Sequence, residues 1–172
     1  LLGERSMTLL TLPTPDSGPP MEVDAAVTAA CVRVIVRALE RQARFREGDR
    51  EHQVVPEQIG VTATHRKMVT AIGLALPAEL CGRVRVDTPE RWQGLECELM
   101  LAVHPLSGVR QPSDFDLETG RLCVMTSRHR GSLVLVSRDH VGETLARTIP
   151  FARQPVGAPD VAGRGHAQHM AL

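Results

Sequence analysis

Two stretches of the chain concentrate side chains that could handle a phosphorylated ligand. The first runs Val86-Asp-Thr-Pro-Glu-Arg-Trp-Gln-Gly-Leu-Glu96, an alternating strand end followed by a tight turn. Loops after the carboxyl ends of parallel strands are where α/β proteins place ligands. Gly94 lets the main chain approach a partner closely, and Gln93 and Glu96 flank it with hydrogen-bonding groups. The second stretch runs Gly120-Arg-Leu-Cys-Val-Met-Thr-Ser-Arg-His-Arg130, with three arginines inside ten residues. The spacing places them at a helix end that should face the same edge as the first stretch. Arginine suits phosphate there, because its planar fork binds oxygens bidentately and stays charged at any relevant pH.

Each of these residues also has a plainer use. Arg121 serves either a phosphate or a structural ion pair. Arg130 and His129 read as solvated helix-end cations complementing the helix dipole. Trp92 either stacks a base or packs in a core or cleft, and with 2% aromatics and no tyrosine the chain is a poor stacking platform. His104, before Pro105, reads as a loop residue.

The elements that must position these residues follow from the hydropathy pattern. Met7 to Leu12 reads as a short buried strand and Pro13 to Pro20 as loop. From Glu22 to Arg44 the apolar positions Val23, Val27, Ala30, Cys31, Val34 and Ala38 repeat at helical spacing, with Arg33, Arg37, Arg41 and Arg44 on the other face. That arginine row reads as a solvated face. A loop is expected over Arg46 to Gln53, a strand over Gln58 to Thr62, and a helix from His65 to Leu76 that Pro77 ends. Strands follow at Arg83 to Thr88 and Glu98 to Val103, a helix at Leu117 to Arg128, a strand at Leu133 to Ser137 and a helix near Val141 to Arg147. Strands alternating with helices imply a mainly parallel sheet with helices on both faces, an α/β three-layer fold. Residues 1–149 form this domain; residues 150–172, rich in Pro, Gly, Ala and His, read as a poorly ordered tail.

Bulk properties narrow the function classes. With 172 residues and 42% hydrophobic composition the chain can bury one core. The formal charge of +0 and pI near 7.2 give no global field toward nucleic acid or acidic membranes, so any such contact is a local stripe. Cys31, Cys81, Cys97 and Cys123 include no Cys-x-x-Cys pair, which argues against a zinc site; each sits among apolar neighbours and reads as a small core residue. The seven histidines show no metal spacing, so no metal ligands are assigned. No apolar run reaches membrane-spanning length, and reduced thiols suit a cytoplasmic setting. The first methionine is Met7, so the chain reads as part of something longer.

Three segments, in order, resemble the motifs of one family. Ile59-Gly-Val-Thr-Ala-Thr-His-Arg66 resembles motif IV of superfamily-1 helicases, Thr88 with Trp92-Gln-Gly-Leu-Glu96 resembles motif V, and Arg121-Leu-Cys-Val-Met-Thr-Ser-Arg128 resembles motif VI. Cys123 stands where the family commonly has Asn, His65 where it has Tyr, and Ser127 where it has Thr. The segments His104-Pro-Leu-Ser-Gly and Ser127-Arg-His-Arg resemble a bacterial branch related to helicases of RNA surveillance and DNA replication. The resemblance spans roughly Met7 to Thr148. It implies the second RecA-like motor domain of P-loop NTPase type, with ATP and Mg²⁺ as cofactors. Arg128 would be the arginine finger reaching the γ-phosphate, and Arg66 a second phosphate contact. Gln93, Gly94 and Glu96 would edge the nucleotide, Glu96 near the ribose, while His65 and Thr88 would touch single-stranded DNA or RNA. Membranes are not among the implied partners.

Two elements of a complete ATP site are missing from the sequence. No Gly-x-x-x-x-Gly-Lys-[Ser/Thr] loop is present to cradle the phosphates, and no apolar strand ending in Asp-Glu supplies a Mg²⁺ ligand. The hydrolytic half, Mg²⁺ ligands included, would lie in a preceding RecA-like domain of the same polypeptide, and this chain alone would be inactive. The alternative is a non-catalytic α/β module, a helicase remnant that only binds nucleic acid or a protein.

Overall fold

The computed structural model describes residues 6–113, 115–148 and 161–172. Its centre is a five-stranded sheet, all of whose pairings are parallel: β1 (Met7–Leu12), β7 (His129–Arg138), β6 (Cys97–Val103), β4 (Ile59–Thr62) and β5 (Arg85–Asp87), in that order across the sheet. β6 is buried along its whole length, as a central strand covered on both faces must be. One layer holds α1 (Ala25–Glu40), α2 (Arg66–Ala75) and an antiparallel hairpin of β2 (Arg44–Glu47) and β3 (Arg50–Gln53). The other holds α3 (Thr119–Ser127), a 3₁₀ turn over Pro89–Trp92, and two further helices, α4 (His140–Arg147) and α5 (Val161–Met170). This is a three-layer α/β fold of the RecA-like kind, with one apolar cluster on each side of the sheet.

The elements differ from the sequence expectation at identifiable places. Helix α1 begins at Ala25, after Glu22, because Asp24 adopts an extended backbone and accepts from the N–H groups of Ala26 and Val27 (3.0 and 3.1 Å). The polar stretch read as loop is the β2–β3 hairpin, whose pairing rests on neighbouring chain and not on an apolar pattern. Residues Val161–Met170 of the tail form α5, docked on α3 and α4 with His169 buried, where the sequence suggests poor order. Residues 150–160 of that tail, with residue 149 before it, lie outside the described residues. Cys31 and Cys97 are buried, and burial raises each thiol to about 12, which makes them inert packing groups. Cys81 and Cys123 are exposed, contrary to the core reading, since the helical turn carrying each turns it outward.

The link from β5 to β6 sets the geometry of the site. It must cross β4, and it does so by laying Trp92 over Gly60. A Cβ at Gly60 would stand 2.4 Å from the indole, too close for any side chain. The indole N–H donates to the Val61 carbonyl (3.2 Å), which satisfies the one polar atom of a ring that is 2% exposed. Gly60→Ala is therefore expected to push the ring out and destabilise the fold by roughly 1–3 kcal/mol. Trp92 is the only tryptophan, so its emission should shift red in the folded state of the variant. An unshifted spectrum with unchanged denaturation midpoint would refute this packing.

Candidate functional site

Because all five strands run parallel, every strand end falls on one of two edges, and the residues singled out in the sequence divide between them. Thr88 follows the carboxyl end of β5; Thr64, His65 and Arg66 follow the carboxyl end of the adjacent β4. The chain then crosses the sheet under Trp92 and emerges at the amino-terminal edge, where Gln93, Gly94 and Glu96 are exposed just ahead of β6. The turn there needs Gly94, whose φ of +75° is unfavourable for other residues, and nothing lies within 4 Å of where its Cβ would be. The main chain at Gly94 is thus open to a ligand.

Arg128 belongs to the same amino-terminal edge. It caps the end of α3 and precedes β7, and its carbonyl accepts from the N–H of Cys97 at 3.0 Å. That bond ties the end of the motif VI-like helix to the motif V-like turn. The Cys97 and Ala102 levels of β6 mark the two edges, about 16 Å apart at roughly 3.3 Å per residue. The structure therefore brings Arg128 together with Gln93, Gly94 and Glu96, and Thr88 together with His65. It does not bring Arg66 to Arg128. As the first residue of α2, Arg66 sits exposed beside His65 on the opposite edge. The expectation that the whole motif V-like loop faces the carboxyl edge holds only for Thr88.

The three arginines of the stretch from Gly120 to Arg130 are in different electrostatic states. Arg121, whose side chain is 13% exposed, pairs with Glu90 (3.1 Å) and Glu118 (2.9 Å) and lies over the Phe115 ring at 4.0 Å. It is a structural tie between α3 and the turn beneath it. Arg130 is no solvated helix-end cation: it lies in β7 and faces Glu98 (3.6 Å) and Glu96 (4.0 Å). The Arg128 guanidinium forms no ion pair among the described residues, and its Nε is buried with no hydrogen-bond partner. Leaving such a donor unsatisfied costs on the order of 1–3 kcal/mol.

At the carboxyl edge the structure adds Arg138 and Asp24, which the motif reading passed over, and buries His104, which read as a loop residue. Arg138 closes β7 and is buried; its Nε and Nη2 donate to the two carboxylate oxygens of Asp24 at 2.8 and 2.7 Å, and Nη1 donates to the Pro13 carbonyl. Two signals were available: an acidic residue at the N-cap position of α1, and a charge ending the apolar run Leu133 to Val136. His104, also buried, accepts at Nδ1 from the N–H of Leu106 (3.2 Å) and meets His169 of α5 through Nε2 (3.3 Å). Burial, with the nearby charges of His169 and His140, pushes His104 down to about 3, so it is a neutral packing group and not a base. Among the described residues no cluster of three or more His, Cys, Asp or Glu side chains could hold a metal ion, and no helix is long and apolar enough to cross a membrane. Comparison with family models finds no match for the chain, and comparison with curated proteins finds none.

Proposed function

We propose that the chain is the second RecA-like motor domain of a superfamily-1 helicase, completing an ATP site with a preceding phosphate-loop domain of the same polypeptide. The observation that carries this reading is the state of Arg128. The nearby Arg121 and Arg130 are neutralised by carboxylates, whereas Arg128 keeps a charge unpaired among the described residues, beside an open glycine turn. A protein retains such a group at some cost in stability when an anion is to meet it.

The amino-terminal edge fits one half of a nucleotide site. Gln93 and the Glu96 carboxylate offer acceptors to ribose hydroxyls, the Gly94 main chain is accessible, and the Arg128 fork suits a γ-phosphate. Bound ATP supplies the transferring phosphoryl group; this chain contributes charge stabilisation across the cleft between domains, and the other half holds Mg²⁺ and positions water. The carboxyl edge, with Thr88, His65 and the exposed Arg66, is the side that takes the backbone of single-stranded DNA or RNA. Arg66 belongs with that strand contact, because it stands a sheet's length from Arg128.

The isolated chain provides the first test. It should release no phosphate from ATP, with or without single strands, because no phosphate loop is present. Any affinity for a labelled oligonucleotide should be weak and fall steeply between 50 and 200 mM salt, on the order of tenfold for each two or so phosphates contacted. Strand-stimulated turnover by residues 1–172 alone would refute the assignment of hydrolysis to a partner domain.

A further inference from the structure

The arginine row of α1 borders an apolar groove and is not simply a solvated face. β1 pairs with β7 alone, and none of its six residues is fully buried, although Leu10 and Leu12 point toward the α1 layer. Helix α1 packs its fully buried residues, Val27, Ala30, Cys31 and Ile35, into the cluster that also holds β4 residues Ile59 and Val61. Beside it a groove of about 770 Å³ stays open, floored by Leu10, Leu12, Leu99 and Val134. Arg33, Arg37 and Arg41 line it, all exposed, and none forms an ion pair among the described residues. They stand on successive helical turns, about 6 Å apart at 1.5 Å rise per residue.

We infer that this groove docks an amphipathic helix of a partner protein, one that carries an acidic residue on each of three successive turns beside an apolar stripe. The aliphatic floor takes anchors at i, i+3 or i+4 and i+7, the way amphipathic helices enter hydrophobic grooves. The cations decide the kind of occupant. An anionic amphiphile has one charged head and would meet one arginine, whereas three charges at helical repeat match carboxylates at the same repeat. A nucleic-acid strand also repeats its charge, but it needs flat faces for its successive bases, and Phe45 is the one aromatic ring lining this otherwise aliphatic groove. A second copy of the chain does not supply the counterpart, since no described helix carries acidic residues on three successive turns. The groove lies on the face of the sheet, so the inference is independent of the two edges assigned above.

A charge-swap cycle tests this on the full 172-residue chain. The probes are a labelled synthetic helix with leucines on one stripe and glutamates at i, i+4 and i+8 beside it, the same peptide with lysines for the glutamates, and a dT15 oligonucleotide. The triple variant R33E/R37E/R41E alters exposed side chains only, and its fold is checked by circular dichroism. The acidic peptide should bind the parent by anisotropy at least tenfold more tightly than the basic one. The triple variant should invert that order, and methyl resonances of Leu10, Leu12 and Val134 should shift on binding. Equal affinity for both peptides, absence of inversion, or shifts elsewhere would overturn the proposal. So would oligonucleotide binding that displaces the acidic peptide and is lost in the triple variant, because the row would then be a strand-binding surface.

Discussion

Arg128→Ala, made in the polypeptide that joins this domain to its proposed phosphate-loop partner, is expected to lower kcat by roughly 10³-fold while ATP affinity changes far less. At the amino-terminal edge Arg128 follows α3 with a guanidinium unpaired among the described residues and is tied by its carbonyl to Cys97, next to Glu96. A charge held there meets the transferring phosphoryl group most strongly when negative charge shifts onto its oxygens, so the loss falls on the chemical step. Arg128→Lys should restore little, because a point charge on a flexible stem does not reproduce the two-pronged contact. Thr88→Ala, at the other edge, should instead weaken single-strand affinity and leave the KM for ATP in place. Arg147→Ala serves as the control, since Arg147 is an exposed α4 residue that, among the described residues, pairs only with Glu143 at 3.4 Å. Single-turnover hydrolysis with saturating strand separates these outcomes. Hydrolysis by Arg128→Ala at close to the parent rate would mean that Arg128 meets no transferring phosphate.

The second large effect is structural. Arg138→Ala should cost roughly 3–5 kcal/mol, a large part of the 5–15 kcal/mol typical of a single domain, because it strands the Asp24 carboxylate in a buried site. Asp24 joins three parts of the fold: it caps α1, holds the end of β7 through Arg138, and through that guanidinium reaches the Pro13 carbonyl after β1. Asp24→Ala should be similarly costly, and the double variant should lose markedly less than the sum of the two, since each single change already breaks the pair. Burial raises the Asp24 carboxyl, but the hydrogen bonds from Arg138, Val27 and Ala26 outweigh it and hold the group below its ordinary value. A carboxylate with a depressed folded-state value stabilises the fold above its unfolded value, near 3.9, and that contribution disappears as pH falls through the depressed one. Urea denaturation of the three variants at pH 7, with the parent also followed below pH 4, gives the comparison. An unchanged midpoint for Arg138→Ala would show that the pair contributes no net stability.

What the sequence determines by itself is the layer architecture and most of its elements. Met7–Leu12, the Glu98–Val103 run and the amphipathic pattern of α1 are local signals, set by period and composition within a few residues. The three helicase-like segments are equally local, since residue order alone carries them. The β2–β3 hairpin and α5 show no such signal because their stability comes from neighbours: the hairpin has a single apolar residue, Phe45, and α5 has few apolar positions to show a period. The partition of the site was beyond reach for the same reason. Thr88 and Gln93 are five residues apart in the chain, yet only the crossing of Trp92 over Gly60 sends one to the carboxyl edge and the other to the amino edge. Likewise, the sequence shows three arginines in one segment, but which of them carries an unpaired charge depends, beyond the local Glu118–Arg121 pair, on carboxylates 31 residues away or more, such as Glu90 for Arg121 and Glu98 for Arg130. Charge neutralisation is a property of distance in space, and chain order does not encode that distance until the sheet has brought its strands together.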